Sequence, residues 1–515
     1  MLSKPIYSTF ARLGFRIPEA RPQQDPTRTH PRASANAPLC VMKFGGTSVG
    51  DAVCIERVAQ IIQDGARKGR VAVVVSAMSG VTNKLMEAAA QSAAGNSDGV
   101  ATIFQELRQR HEEAADRLIA AQAARSALTL HMASLFQEGQ SRCQRAILAK
   151  ELTAQTRDAI ASLGERLAAP LVAATLAERG LVSEAVEATD LIVTNANFGS
   201  ADPCVDATRQ RCEARLLPLI HRGAVPVITG FIGATPDGLL TTLGRGGSDY
   251  SATILGAALD ATEVIIWTDV DGVLSADPRL VSDARTIPEI SYREAADLAH
   301  FGAKVLHPKT LQPVMQFHIP VWIRNSFSPN LVGTKITPGG LARGGAVKAV
   351  TSISDAQLIS LVGRDIDTVR DIFGRAGAVA ARIRGDAWFL STTQMRDRLQ
   401  LAVSAPFAQR TIEALRREFS EELSRGTLEG IGIGASVAIV TLVGQDFLDL
   451  AELRRRSSGA LDRVQIGVMA TAERSSGCTL SFGIAPEKMK TALAAIHQEF
   501  QLHALDSQSL PSHVL

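Results

Sequence analysis

The chain lacks four things, and each absence closes off a class of function. Its cysteines, Cys40, Cys54, Cys143, Cys204, Cys212 and Cys478, stand far apart with no C-x-x-C pair, which fits neither a disulfide framework nor a cysteine zinc cage. A reducing compartment is the default. It lacks an excess of charge: 54 basic residues face 52 acidic ones along the chain, for a formal net charge of +2. No basic field therefore favours nucleic acid or anionic lipid, and the expected partners are small molecules. It lacks long apolar runs. Stretches such as 71–75 and 435–443 fall far short of the roughly 20 apolar residues that span a bilayer, so no transmembrane segment is expected. Finally, no G-x-x-x-x-G-K-[ST] occurs, which excludes a Walker loop.

What is present is 515 residues, 46% hydrophobic and 21% charged, enough for two to four domains with large cores. Residues 1–38 form a zone of their own, with Arg12, Arg16, Arg21, Arg28 and Arg32 against only Glu19 and Asp25, and Pro-rich polar stretches. This reads as a disordered leader or a targeting segment. The expected location is cytoplasmic, or organellar if the leader is a transit peptide.

After the leader, Leu39–Phe44 and residues 71–76 read as buried strands, Val-rich runs ending in Gly or Ser, with helical spacing over 53–62 between them. Strand, glycine turn, helix and strand in succession predict a parallel α/β sheet. From 82 to about 178 the pattern is helical, with Leu107, Leu118, Leu135, Ile147, Leu152 and Ile160 as core positions. Strands return at 226–232, 264–268 and 321–323, and a Gly/Pro-rich stretch at 338–345 marks a boundary. Beyond it Leu361-Val362-Gly363-Arg364-Asp365 is echoed by Leu442-Val443-Gly444-Gln445-Asp446, predicting two similar modules. In the second the order is helix (447–456), strand (464–469), strand (478–484), helix (487–500), a βαββαβ plan.

Three segments carry chemistry. Lys43-Phe44-Gly45-Gly46-Thr47-Ser48 sits where a strand hands over to a helix: adjacent glycines admit an anion to the backbone N–H groups, and Lys43 adds a full positive charge. Leu243-Gly244-Arg245-Gly246-Gly247-Ser248-Asp249 is again glycine-rich before a helix, with a guanidinium suited to carboxylate or phosphate and an Asp that can cap the helix or organise a metal. Trp267-Thr268-Asp269-Val270-Asp271-Gly272 lies at the carboxyl end of a strand, where open α/β sheets bind ligands. A fourth string, Gly430-Ile431-Gly432-Ile433-Gly434-Ala435, satisfies G-x-G-x-x-[GA] but precedes an apolar β-rich run, so it is not read as a dinucleotide site.

Together with Phe301-Gly302-Ala303-Lys304-Val305-Leu306-His307-Pro308, Ser76-Ala77-Met78-Ser79-Gly80-Val81-Thr82-Asn83 and Gly164-Glu165, these segments resemble the aspartokinase family in identity, order and spacing. The resemblance runs from about Val41 to the C-terminal region. It implies a three-layer αβα amino-acid kinase sandwich with a mainly parallel sheet over 39–340. Two ferredoxin-like ACT modules would follow at 346–432 and 433–515, with strands possibly exchanged. It further implies transfer of the ATP γ-phosphate to the β-carboxylate of L-aspartate, with Mg2+ held mainly through the ATP phosphates. Lys43, Asp249 and Lys304 would be catalytic, and Ser76, Thr82, Glu165, Phe231, Arg245 and Ser248 would hold aspartate. Lys43, Gly45, Gly46, Thr47, Thr268, Asp269, Leu274, Arg279 and Lys304 would line the ATP site. The family usually has Tyr where Leu274 stands; leucine can pack on an adenine but donates no hydrogen bond to it. ACT modules imply a homo-oligomer and an amino-acid effector, lysine or threonine, with Gly374, Ala376 and Gly377 as a candidate rim at a helix-to-strand junction. No dehydrogenase domain, as fused to some family members, is expected after the second module. The rival readings are another kinase of this fold, such as glutamate kinase, and an amino-acid sensor without turnover.

Overall fold

The computed structural model describes residues 37–303, 306–340, 347–363, 366–383, 387–390, 398–445, 447, 449–473 and 478–504. Residues 1–36, Lys304, Arg364, Asp365 and Asp446 lie outside them. Two compact units emerge. One comprises the chain up to Gly272 plus Lys309–Pro338, the other Val273–Pro308 plus the chain from Gly339 onward. Residues 273–308, expected within a catalytic domain over 39–340, thus group with the C-terminal unit.

The first unit opens with β1 (Leu39–Phe44), α1 (Ala52–Lys68) and β2 (Arg70–Val75). Both strands are apolar and almost wholly buried, the pattern of a central parallel strand covered on both faces. Asp51 starts α1 by accepting the Cys54 N–H at 2.8 Å, while Arg67 and Lys68 close it on the negative end of the helix dipole. The helical insertion follows as α2 (Val81–Ala93), α3 (Ser97–Leu118), α4 (Gln122–Ala149), α5 (Ala154–Ala161) and α6 (Leu163–Glu178). Leu107, Leu118, Leu135 and Ile160 are buried there as the spacing predicts, and Ile147 and Leu152 pack partly buried against the same core. The stretch Ala154–Glu178 is long and apolar enough to cross a bilayer by composition, yet 94% of its apolar window is buried inside the unit. It is a core helix pair.

Next come β3 (Ser183–Val186), α7 (Val205–His221), β4 (Val225–Thr229), the hairpin β5 (Ile232–Ala234) and β6 (Leu240–Thr242), α8 (Gly247–Ala258) and β7 (Glu263–Thr268). The segment 226–232, expected as one strand, breaks at Gly230 and Phe231. A Cβ at Gly230 would lie 2.7 Å from the Ser248 Cβ and 2.9 Å from the Val75 carbonyl, and Phe231 adopts φ +71, which no strand residue can hold. Then β8 (Glu289–Ser291) and α9 (Tyr292–His300) belong to the second unit, and α10 (Pro308–Gln316), β9 (Val321–Asn325) and β10 (Thr334–Thr337) complete the first. Its strands run β3-β4-β2-β1-β7-β9-β10, all parallel except β10. The register Phe44↔Val75 and Phe44↔Trp267 brings the carboxyl ends of β1, β2 and β7 level.

The second unit is organised by two 17-residue strands, β11 (Val347–Gly363) and β14 (Leu428–Gly444). Between them lie α11 (Ile366–Arg382), β12 (Ala387–Leu390), β13 (Arg398–Ser404), α12 (Ala408–Glu418) and α13 (Ser420–Arg425). After them come α14 (Leu450–Arg463), β15 (Ala470–Glu473), β16 (Thr479–Ile484) and α15 (Met489–Glu499). The sheet order β12-β13-β11-β14-β16-β15 puts β11 and β14 at the centre. Their antiparallel pairing runs from Val347↔Gly444 to Gly363↔Leu428, so each strand serves both modules in turn. Ile359, Leu361 and Ile431 pack with Ile372 and Ile412 in one core; Val350, Val440 and Leu442 pack with Leu461 and Ile496 in the other. The boundary expected at 432/433 therefore falls inside β14, as does the G-x-G-x-x-A string, with no helix after it.

Two local readings are corrected. Gly374, Ala376 and Gly377 lie within α11 rather than at its junction with a strand; Ile372, Ala376, Val379 and Ala380 are buried in one core, and that packing outweighs the weak helix propensity of glycine. The strand expected at 464–469 is instead the stop of α14, since the N–H groups of Val464, Gln465 and Ile466 bond back to Leu461 and Asp462 carbonyls with Gln465 at φ +56. That helix begins at Leu450 because Asp449 accepts the Glu452 N–H at 2.8 Å.

Glycine-to-alanine changes in α6 and α14 should have opposite signs. Alanine gains about 1 kcal/mol over glycine in a helix interior, but a Cβ at Gly164 would lie 2.5 Å from the Ala77 Cβ, an overpacking worth roughly 1–3 kcal/mol. At Gly459 the nearest atom is the tip of Arg463 at 3.8 Å. Chemical denaturation should show Gly164→Ala lowering the midpoint and Gly459→Ala raising it.

Candidate functional site

At the carboxyl ends of β1, β2 and β7 the first unit holds an open cavity of about 540 Å3. Its lining comes from the turns after β1 and β2, the first turns of α2 and α8, Glu165 of α6, Phe231 after β4, and Thr268 at the end of β7. Two helix N-termini therefore present free N–H groups to one space, the arrangement that receives anions. Gly46 is required by close approach, because a Cβ there would meet the Ala77 carbonyl at 3.0 Å. Gly244 and Gly246 hold φ +81 and +70 on the way into α8, conformations that side-chain-bearing residues rarely adopt.

Lys43 is buried and forms an ion pair with Asp249 in the first turn of α8. A buried ammonium needs such a partner. Glu165 is buried on α6. Its Oε1 accepts the Ala77 N–H at 3.1 Å, and its Oε2 has no hydrogen-bond partner among the described residues. Burial pushes its carboxyl up to about 8, against the lowering effects of that N–H and of Lys43. With Glu165 neutral near pH 7 and Lys43 matched by Asp249, the exposed guanidinium of Arg245 and the helix N-termini leave the cavity electropositive. It is prepared for an anion that also carries a positive group able to meet the free Glu165 oxygen.

Surrounding contacts hold this frame. Gly45 donates to the Trp267 carbonyl at 3.1 Å and Ser76 to the Phe44 carbonyl at 3.0 Å. Ser48 bonds Ser326 at 2.8 Å, and Ser326 donates to the Thr268 carbonyl at 3.1 Å. Phe231 is locked in its left-handed backbone by the Ser251 hydroxyl, which accepts its N–H at 2.9 Å, and by the Leu243 N–H, which it accepts at 2.9 Å. Asp158 accepts the Gly199 and Thr242 N–H groups at 2.7 and 2.8 Å, fixing β6 just ahead of the glycine turn.

Of the residues singled out from the sequence, Lys43, Gly45, Gly46, Thr47, Ser76, Thr82, Glu165, Phe231, Arg245, Ser248, Asp249 and Thr268 line this one cavity. Asp269 follows Thr268 but is not in the lining; it accepts from the Thr268 hydroxyl at 3.3 Å. Leu274 and Arg279 belong to the second unit, where Leu274 bridges Thr286 and Arg279 pairs with Asp277 at 2.6 Å. Lys304 lies outside the described residues. Sequence reasoning passed over Gly230 and Asn83. Gly230 could be found only from the packing of Ser248 against it, whereas Asn83 stood inside a segment already quoted and lines the cavity from the first turn of α2.

Comparison with known proteins bears directly on this cavity. The sequence model of the amino acid kinase family matches residues 38–325, which takes in every lining residue. The chain is 30% identical over 472 residues to Aspartokinase 1, chloroplastic, of Arabidopsis thaliana, covering 90% of this chain and 80% of that protein. The chain belongs to the aspartokinase family. It is also 32% identical over 472 residues to the Bifunctional aspartokinase/homoserine dehydrogenase 2, chloroplastic, of the same plant, and covers 50% of it; the chain spans about half the length of the bifunctional relatives it matches. Among solved structures it is similar to E. coli aspartokinase III, at 28% identity over 90% of this chain and 99% of that one. The TM-score is 0.74 to the form in complex with aspartate and ADP and 0.71 to the form in complex with lysine and aspartate. Members of this family are ATP-dependent kinases of the amino-acid kinase α/β fold, with ACT-like sheets in the C-terminal unit.

Proposed function

We propose that the chain transfers the γ-phosphate of MgATP to the β-carboxylate of L-aspartate, giving 4-phospho-L-aspartate and ADP. The supporting observation is the cavity itself, which collects Lys43, Arg245, the buried Glu165 and two helix N-termini around one space. Membership of the aspartokinase family supports the same substrates. A carboxylate of reference pKa about 3.9 is already ionised at neutral pH, so no general base is needed. One carboxylate oxygen forms the new bond to phosphorus while the bond from phosphorus to the ADP oxygen breaks, and the obstacle is the approach of two anions. Catalysis then consists of positioning and positive charge.

In this reading Glu165 receives the α-ammonium of aspartate and Arg245 its α-carboxylate, with Ser76, Thr82, Phe231 and Ser248 closing around the rest. Lys43, Gly45, Gly46 and Thr47 hold the transferred phosphate. Asp249 positions Lys43 and, with so few carboxylates nearby, leaves Mg2+ to be held mainly through the ATP phosphates. Thr268, Asp269, Leu274, Arg279 and Lys304 take the nucleotide. The C-terminal unit binds an end-product amino acid, lysine or threonine, in a homo-oligomer. The step opens the synthesis of amino acids built on aspartate.

Three measurements test this. Incubation with aspartate, MgATP and hydroxylamine should give ATP-dependent aspartyl hydroxamate, reduced by lysine or threonine; hydroxamate from glutamate alone would move the chain to a glutamate-type kinase, and none from either would make it a sensor. Lys43→Ala should lower kcat by about 10²–10³-fold with a smaller change in KM, and a raised KM at unchanged kcat would mean Lys43 only binds. Because the ammonium of aspartate pairs only with ionised Glu165, whose pKa is raised to about 8, KM for aspartate should fall as pH rises from 6 to 8, at most about tenfold per unit. Glu165→Gln should show a raised KM that is flat over that range; a wild-type profile in this variant would refute the pairing.

A further inference from the structure

The second unit carries a group of side chains that the kinase reaction does not use. Asp283, His497 and His503 converge from three places: the loop before β8, the last turn of α15, and the short helical turn Leu502–Ala504 that follows it. One ligand-competent atom from each lies within 4.8 Å of the other two. His497 Nδ1 stands 3.7 Å from Asp283 Oδ1, and His503 Nδ1 stands 3.9 Å from Asp283 Oδ2. These separations exceed a hydrogen bond, and each histidine faces its own oxygen of the one carboxylate, so a side-chain rotation is needed to bring three ligand atoms to the about 3.4 Å spacing of a tetrahedral site with 2.0–2.1 Å bonds.

The surroundings of His497 separate this cluster from a chance surface meeting. The imidazole is 1% exposed, and its Nε2 is engaged by the Ser275 hydroxyl at 3.0 Å. That hydroxyl oxygen also accepts the Arg285 N–H at 2.9 Å, so the serine is fixed to the same loop that carries Asp283. A histidine whose far nitrogen is held by an oriented oxygen has its near nitrogen aimed, as behind metal-ligating imidazoles. Asp283 and His503 are about half exposed and free to close by side-chain rotation, and solvent can supply a fourth ligand.

We propose that Asp283, His497 and His503 form a binding site for a divalent transition metal of the zinc type. Two imidazoles and one carboxylate select Zn2+, Co2+ or Ni2+ over Mg2+ or Ca2+, which prefer all-oxygen shells. The bound ion ties the loop 273–288 to α15 and to the turn after it. That loop already donates the Val281 and Ala276 side chains to the core beneath α15, and its Ser275 carbonyl accepts the Val350 N–H at 2.8 Å. The ion therefore reinforces an existing contact, as a structural staple with an open position.

The full-length chain, stripped with EDTA, is titrated with Co2+ and its visible absorption followed, then back-titrated with Zn2+; Asp283→Ala and His503→Ala are treated alike. Both positions are half exposed, so neither change removes core packing. The expected result is one Co2+ per chain with an intense visible band, displaced by Zn2+. Kd should be raised at least about tenfold in each variant and by about tenfold in Ser275→Ala, which removes the hydroxyl that orients His497 and holds the Arg285 N–H. Zn2+ should also raise the unfolding midpoint of the wild type and not of the two ligand variants. Absence of a band, or a band and midpoint shift that persist in both ligand variants, overturns the site.

Discussion

The ion pair between Lys43 and Asp249 is the contact on which the site depends. A lysine buried near the carboxyl end of a central, covered strand needs a partner for its charge, and Asp249 reaches it only because α8 starts there. Its start rests on Gly244 and Gly246, which turn the backbone through the left-handed region, and on Gly230, whose missing Cβ lets Ser248 lie against the end of β4. The pairing also solves a charge problem, since the buried Lys43 ammonium is balanced by Asp249. Glu165 is handled the other way. One oxygen is bonded and the other has no partner among the described residues, and burial raises its carboxyl to about 8.

Much of this site was legible because its requirements are local. Lys43-Phe44-Gly45-Gly46 and Gly244-Arg245-Gly246-Gly247 announce a backbone that must approach an anion, whatever packs behind it. The strands β1, β2 and β7 and the helical insertion were legible for a related reason, since burial on two faces or on one stripe leaves a periodicity in the residues themselves. What was missed depends on distant partners. Phe231 looks like a strand residue, and only the Ser251 hydroxyl and the Leu243 N–H explain its positive φ. Gly374 and Gly377 look like a helix stop, and only the core around Ala376 explains why α11 continues. Asp283 and His497 are separated by more than two hundred residues and share no motif, so their meeting is visible only once the second unit is folded.

The modular plan shows the same division between local and non-local information. Repetition of Leu-Val-Gly at 361–363 and 442–444 correctly signalled two like modules, but a repeat says nothing about which strands pair. Because β11 and β14 are each long enough to cross both modules, each strand joins one core to the other along its length: Ile359 faces α11 while Val350, on the same strand, faces α15. An effector that strains one module acts on a strand already built into its neighbour. Two modules sharing their central strands are one mechanical element with two cores, which suits a sensor better than two independent domains would.

Chain connectivity carries that element toward the catalytic cavity. Thr268 lines the cavity, and Asp271 is held within the first unit by the Asn325 side-chain amide at 2.6 Å. Val273 belongs to the second unit, where its carbonyl accepts the Ile287 N–H at 2.8 Å. Gly272 alone stands between these anchors, at φ +125, a backbone state that glycine enters without strain. At this one of the chain's three crossings between the units, a single glycine thus joins the strand that ends at the cavity to the loop that carries Leu274, Arg279 and Asp283.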